Sequence, residues 1–148
     1  MSSEVMFRHE VPFGHRLQRH EGKCRFPHGH GYLFEIAVRG PVDPESGMVI
    51  DFSDLKRLVR DFFEQFDHAF VLEESDPLRE GLRLQPIPTK VVVLNVPPTA
   101  ENLAALVREH MRTEGLYTQV TCWEQRDCSA TASTPDSNAL PKIVEVWP

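Results

Sequence analysis

The chain of 148 residues is 41% hydrophobic and 26% charged, a balance typical of a globular protein with a sizeable core. Its formal net charge of -6 argues against a nucleic-acid-binding surface, and its three cysteines are too few for a disulfide framework. No apolar run approaches the roughly 20 residues of a membrane span, and the first residues show no export pattern. We therefore expect one domain over residues 1–148 in the cytoplasm, without nucleic-acid or membrane partners.

The first half of the chain predicts strands followed by a helix. Residues 5–12 and 32–39 are predicted as strands, and the cluster "DPESG" at 43–47 predicts a turn. The apolar run 48–50 predicts a short return strand. From Ser53 the apolar period becomes that of a helix, with Ser53 itself as the N-cap. The apolar face of this helix consists of Leu55, Leu58, Val59, Phe62, Phe63 and Phe66.

The second half predicts one more helix among further strands. Residues 91–96 are predicted as a buried strand or extended segment, and Thr99 as the N-cap of the second helix. Residues 119–123 and 143–147 are predicted as strands. This order of elements predicts an α+β domain with two helices packed on one face of an antiparallel sheet. The inward residues of the second helix are Leu103, Leu106, Val107 and Met111, and the predicted loops are 73–89 and 129–141.

The stretch "KCRFPHGHGY", residues 23–32, suggests a metal site. His28 and His30 are two positions apart at the start of a predicted strand, so both imidazoles point to the same face. A catalytic zinc site uses three protein ligands and leaves a fourth position open. His15, in "FGHRL" at the end of the first strand, is the candidate third ligand. The alternative is that these histidines are solvated loop residues.

Five blocks of sequence, taken together, resemble one enzyme family. In order they are "FGHRL", "GKCRFPHGHGY", "SGMVIDFSDLK", "FDHAF" and "PPTAENLA". They are similar to those of the 6-pyruvoyltetrahydropterin synthase and 6-carboxytetrahydropterin synthase family. The resemblance implies the tunnelling fold (T-fold), in which trimeric rings stack into a homohexamer with active sites between subunits. It further predicts that Glu124 and the zinc histidines belong to different subunits.

The resemblance also assigns roles to individual residues. It implies that Cys24 is the proton-abstracting base, and that Asp67 and His68 handle protons on the opposite side of the substrate. It implies that Glu124 anchors the pterin by accepting hydrogen bonds from its amino group and ring N–H. The implied zinc ligands are His15, His28 and His30, and the implied frame of the pterin pocket includes Thr99 and Glu101.

Residue type alone leaves simpler explanations open for these positions. Most free cysteines are small buried hydrophobes, which would suffice for Cys24. A histidine near the end of a helix, such as His68, and an acidic residue in a first turn, such as Glu101, are both favoured by the helix dipole. Glu124 would otherwise be an ordinary charge on an edge strand.

The spacing around the cysteine indicates which reaction to expect. Three residues separate Cys24 from His28, which resembles the bacterial 6-carboxytetrahydropterin synthases of queuosine biosynthesis. The expected function is a zinc-dependent lyase that converts 7,8-dihydroneopterin triphosphate to 6-carboxy-5,6,7,8-tetrahydropterin with release of acetaldehyde and triphosphate. The alternatives are a 6-pyruvoyltetrahydropterin synthase and a non-catalytic pterin- or purine-binding zinc protein. The chain departs from the family pattern in the extended segment 73–89 and in the residues after Glu124.

Overall fold

The computed structural model of the protein describes residues 1–112, 116–133 and 140–148. The strands are β1 (Ser2–His15), β2 (His28–Pro41), β3 (Phe70–Glu73), β4 (Val91–Leu94), β5 (Tyr117–Gln125), β6 (Cys128–Ala132) and β7 (Ile143–Trp147). The helices are α1 (Phe52–Phe63), α2 (Leu78–Arg83) and α3 (Ala100–His110), and a 3₁₀ turn covers Lys23–Arg25. The strands form one sheet in the order β6-β5-β2-β1-β3-β4-β7. No helix in these three ranges is long and apolar enough to cross a membrane.

The α+β class is confirmed, but the sheet is mixed rather than wholly antiparallel. β3 pairs in parallel with both β1 and β4, while the other neighbouring pairs are antiparallel. Parallel neighbours need a crossover connection, and the segment between β3 and β4 supplies it. That segment contains α2, so the prediction of a loop over 73–89 is wrong at 78–83.

Several predicted boundaries shift by a few residues. The return strand predicted at 48–50 does not form, because this stretch leads directly into α1. The cap of α1 is Asp51 rather than Ser53: its carboxylate accepts a hydrogen bond from the Ser53 backbone N–H at 2.6 Å. Thr99 caps α3 as predicted, and its hydroxyl accepts from the backbone N–H of Asn102 at 3.2 Å. The predicted loop 129–141 begins with β6, and residues 134–139 lie outside the described ranges.

The sheet carries helices on both faces. α1 and α3 bury their apolar faces in the main core, and of the predicted α1 face only Leu58 is exposed, at 42%. On β4, Val92 and Leu94 point into this core, as strand alternation requires. The alternate residues of β4 belong to a second cluster on the other face, with Leu78 and Leu82 of α2 packed against it. The sequence therefore builds a third layer over the β3–β4 end of the sheet.

The long antiparallel ladder of β1 and β2 determines where the candidate ligands lie. His15 is directly opposite His28, and Phe13 is directly opposite His30. Gly14 and Gly29 face each other between these pairs. A Cβ on Gly14 would lie 2.8 Å from the ring of Phe70, so a larger residue here would have to displace that ring.

Candidate active site

Three histidines meet at one end of the β1–β2 ladder. His15 is fully buried, whereas His28 and His30 are partly buried. One ring nitrogen from each histidine can be chosen so that all three lie within 4.8 Å of one another. The strand register places His15 beside His28, and alternation along β2 places His30 on the same face. The predicted set of His15, His28 and His30 is thus brought together.

The backbone fixes the proton positions on two of these rings. His15 Nδ1–H donates to the carbonyl of Pro98 at 2.8 Å, and His28 Nδ1–H donates to the carbonyl of Phe26 at 2.6 Å. A carbonyl accepts only, so each neutral ring carries its lone pair on Nε2. The two Nε2 atoms lie 3.1 Å apart. Two facing lone pairs repel unless a cation lies next to them, and this arrangement fits a metal ion bound by imidazole nitrogens.

The third histidine supplies another uncommitted nitrogen. His30 Nε2 is buried without a hydrogen-bond partner among the described residues, although Glu124 Oε1 approaches to 3.4 Å. The pKa values of His15 and His30 are lowered, chiefly because burial disfavours the charged imidazolium. Neutral imidazole is the form that binds metals. The residues present therefore fit a three-histidine metal site.

Glu124 lies beside the histidine cluster in the same chain, with its Oε1 3.4 Å from His30 Nε2. β5, which carries it, is the hydrogen-bonded neighbour of β2, which carries His30. The side chain of Glu124 is 22% exposed, so it borders the cluster and remains reachable from solvent. The prediction that Glu124 and the histidines come from different subunits is therefore wrong: adjacent strands of one sheet bring them together.

Cys24 lies in the 3₁₀ turn that precedes β2. It is half-buried, and its carbonyl accepts from the backbone N–H of Leu17 at 2.8 Å. This bond joins the turn to the chain just beyond His15. Burial chiefly, with Glu124, Cys122 and Cys24 as smaller contributors, raises the pKa of Tyr32, whose ring lies 5.8 Å from that of His15 and 5.4 Å from that of His30.

Asp67 and His68 form a contacting pair on the turn after α1. His68 Nδ1–H donates to Asp67 Oδ1 at 2.6 Å, which leaves Nε2 available for proton exchange. The His68 backbone has a φ of 61°, a left-handed conformation that is uncommon for residues other than glycine. The Lys90 ammonium donates to the Asp67 carbonyl at 2.8 Å and holds this turn. His68 and His30 line a shallow groove of about 370 Å³.

Thr99 and Glu101 are less directly placed. The Pro98 carbonyl that accepts from His15 immediately precedes Thr99, so the start of α3 adjoins the histidine cluster. The Thr99 hydroxyl is engaged in capping the helix, and Glu101 is exposed in its first turn. The structure brings the segment to the site without giving either side chain a contact with the cluster.

Tyr32 is a candidate site residue that the sequence analysis missed. It is fully buried and stacks on Phe13 with ring centroids 3.9 Å apart. Burial raises the pKa of its hydroxyl, with Glu124 adding to the effect, and that hydroxyl has no hydrogen-bond partner in the described part of the chain. Its position two residues after His30, on the same face of β2, was the available signal.

Comparisons with known proteins found a matching family model and related sequences. The family model described as 6-pyruvoyl tetrahydropterin synthase matches residues 4–135. A probable 6-carboxy-5,6,7,8-tetrahydropterin synthase of Halobacterium salinarum is 40% identical over 101 residues, which are 68% of this chain and 64% of that protein. A 6-carboxy-5,6,7,8-tetrahydropterin synthase of Rickettsia conorii is 37% identical over 107 residues, 71% of this chain and 74% of that protein.

Solved structures share the fold. An uncharacterized protein from Wolinella succinogenes superposes with a TM-score of 0.76 at 20% identity, covering 91% of this chain and 99% of that one. The 6-pyruvoyl tetrahydropterin synthase of Caenorhabditis elegans superposes with a TM-score of 0.69 at 25% identity, covering 91% and 97%. The expected T-fold is thereby confirmed. With its histidine cluster and its match over residues 4–135, the chain belongs to the 6-pyruvoyl tetrahydropterin synthase family.

Proposed function

We propose that this protein is a zinc-dependent lyase that converts 7,8-dihydroneopterin triphosphate to 6-carboxy-5,6,7,8-tetrahydropterin, acetaldehyde and triphosphate. The observation that carries the proposal is the three-histidine cluster, with its facing Nε2 atoms and with Glu124 at its border. The names of the Halobacterium and Rickettsia relatives favour the carboxy product. We also propose a cytoplasmic homohexamer acting in queuosine biosynthesis, as the resemblance implies.

His15, His28 and His30 would hold the metal ion through their Nε2 atoms. When bound there, Zn²⁺ supplies a Lewis acid for the hydroxyl oxygens of the substrate side chain. The carbonyls of Pro98 and Phe26 keep the His15 and His28 rings in the orientation and tautomer that binding requires.

The remaining residues bind the pterin and move protons. Glu124 presents carboxylate oxygens to the N–H groups of the pterin, a directional pairing when water is excluded. The Cys24 thiolate takes a proton from a side-chain carbon that bears a hydroxyl. His68, oriented by Asp67, exchanges a proton through Nε2, and its side chain is 82% exposed and therefore open to a ligand or a neighbouring subunit.

Incubating the purified protein with 7,8-dihydroneopterin triphosphate and identifying the products by mass spectrometry tests the proposal. We expect 6-carboxytetrahydropterin together with acetaldehyde. A 6-pyruvoyl product without acetaldehyde would place the chain with the pyruvoyl synthases. Tight binding of pterin without any product would indicate a binding protein and overturn the proposed lyase activity.

The strained backbone of His68 predicts opposite effects on stability and turnover. His68→Asn should leave the free energy of unfolding unchanged or raise it by up to about 1 kcal/mol, because asparagine tolerates the left-handed conformation better. The same change should lower turnover by roughly two to four powers of ten, because a proton carrier is lost. Urea unfolding and steady-state kinetics measure the two effects.

Lys56→Asn is the control for the His68 variant, since it changes an exposed side chain of α1 away from the turn. It should leave turnover unchanged. Full activity of His68→Asn would show that the required proton carrier lies elsewhere, and a clear loss of stability would show that the imidazole, not the backbone, is what the fold needs at this position.

A further inference from the structure

Residues 16–25, here named the Cys24 loop, connect the end of β1 to the 3₁₀ turn that carries Cys24. Two backbone-directed contacts fold this loop back on itself. Leu17 N–H donates to the Cys24 carbonyl at 2.8 Å, and the Arg16 guanidinium donates to the Arg25 carbonyl at 3.4 Å. The position of Cys24 therefore depends on where Arg16 and Leu17 are held.

Acidic side chains of residues 73–76, here named the acidic segment, bind polar and basic side chains of the Cys24 loop. Arg16 forms a two-pronged ion pair with Asp76, with Nε–Oδ2 at 2.7 Å and Nη2–Oδ1 at 2.5 Å. Glu73 accepts hydrogen bonds from Arg19 at 2.6 Å and from Gln18 at 2.8 Å. All these donors lie between His15 and Cys24 in the sequence.

Burial distinguishes the Asp76 contact from an ordinary surface pair. The Asp76 side chain is 1% exposed and that of Arg16 is 22% exposed. A bidentate arginine–carboxylate pair of this kind fixes the direction of the contact as well as its distance. Removing one partner leaves the other charge buried and uncompensated. The Arg19–Glu73 pair has one partner that is 63% exposed, so water screens it more strongly.

Asp76 also fixes its own segment. Its Oδ1 accepts from the backbone N–H of Leu78 at 2.9 Å, at the start of α2. α2 in turn packs on the sheet through Leu78 and Leu82 and is tied to β7 through ion pairs of Arg79 and Arg83 with Glu145. The Cys24 loop is thus attached, through Asp76, to an element anchored on the rigid sheet.

We propose that Asp76 and, to a smaller extent, Glu73 are positioning residues that hold the turn carrying the Cys24 thiol against the chain just beyond His15. They act through Arg16 and Arg19 and do not touch the substrate. The inference rests on the proposed function of Cys24 as the base, and it gives a role to the extended segment 73–89. Misplacing a reacting group by about 1 Å can cost as much as a hundredfold in rate.

Asp76→Asn is the test, because it keeps the size of the side chain while removing its charge and one acceptor oxygen. Glu145→Gln is the matched control: it weakens the Arg–carboxylate pairs that join the same helix, α2, to the edge strand β7. Zinc content and urea unfolding are measured for each variant. Cys24 alkylation by iodoacetamide is followed by peptide mass spectrometry relative to that of the exposed Cys128.

For Asp76→Asn we expect kcat to fall roughly tenfold or more with KM little changed, because chemistry rather than binding is disturbed. The alkylation rate of Cys24 relative to Cys128 should rise severalfold, while zinc content stays at the wild-type value. Glu73→Gln should show the same changes to a smaller degree, and Glu145→Gln should show neither.

The inference would be overturned if Asp76→Asn kept the wild-type kcat and the wild-type alkylation ratio. It would also be overturned if Glu145→Gln changed both quantities as much as Asp76→Asn does, because that would indicate a general effect of loosening α2. If Asp76→Asn does not fold, Glu73→Gln and Arg16→Lys decide the question by the same two measurements. The alkylation ratio needs no substrate. A protein without lyase activity would therefore refute the proposed function while the ratio still tests the positioning of Cys24.

Discussion

Replacing His28 by alanine should remove most of the zinc, of which the purified wild-type protein should carry about one ion per chain. A site with three protein ligands loses much of its affinity when one is deleted. The fold should survive, because the His15 and His28 Nε2 atoms face each other at 3.1 Å and the variant removes their mutual repulsion in the metal-free protein. Metal analysis after purification without chelators, together with thermal unfolding, measures both effects.

His20→Ala is the control for the metal experiment. His20 is an exposed histidine of the Cys24 loop and stands outside the cluster of three. Its replacement should leave the zinc content at the wild-type value. Absence of zinc from the wild-type protein, or full zinc occupancy in His28→Ala, would contradict the assignment of the metal site.

Replacing Cys24 by alanine should lower turnover by roughly two to four powers of ten, the usual cost of losing a positioned proton carrier. Zinc content and pterin affinity should stay nearly constant, since Cys24 is assigned neither as a metal ligand nor as a pterin contact. Saturation kinetics and titration with a non-reacting pterin separate the two quantities. The exposed Cys128 is the control, and Cys128→Ala should retain full activity.

Glu124→Gln should show the complementary pattern. It replaces one acceptor oxygen by a donor that faces the N–H groups of the pterin, so pterin binding weakens first, by about 1–3 kcal/mol or more.

Two outcomes of the Cys24→Ala experiment would contradict the role of Cys24. Loss of zinc in Cys24→Ala would make the thiolate a metal ligand. Full activity in Cys24→Ala would show that the base is another residue, even with the family assignment intact.

The sequence predicted the ligand cluster because that cluster depends on local geometry. His28 and His30 lie on one face by strand alternation alone, and His15 was the candidate third ligand from its place at the end of the first strand, with the resemblance in agreement. The pairing of His15 with His28 follows from the register of neighbouring strands, which the apolar pattern also specifies. Thr99 was found as a cap for the same reason, since capping involves only the next few residues.

The features that escaped prediction depend on contacts between distant parts of the chain. α2 covers only Leu78–Arg83 and has two core-directed leucines, too few to establish a helical period. The parallel pairing of β3 with β1 and β4 has no local signature. The place of Glu124 beside His30 required knowing that β5 lies next to β2, across more than half of the chain.

The β1–β2 ladder has a consequence for the order in which the protein is made. All three candidate ligands lie within residues 2–41, whereas Asp67, His68 and Glu124 come later in the chain. Synthesis proceeds from the N-terminus, and contacts close in sequence form early. The pairing of these two strands alone brings the ligands together. A nascent chain can therefore gather its metal ligands, with Cys24 between them in sequence, before Glu124 has been added, and the Pro98 contact that orients His15 also forms afterwards.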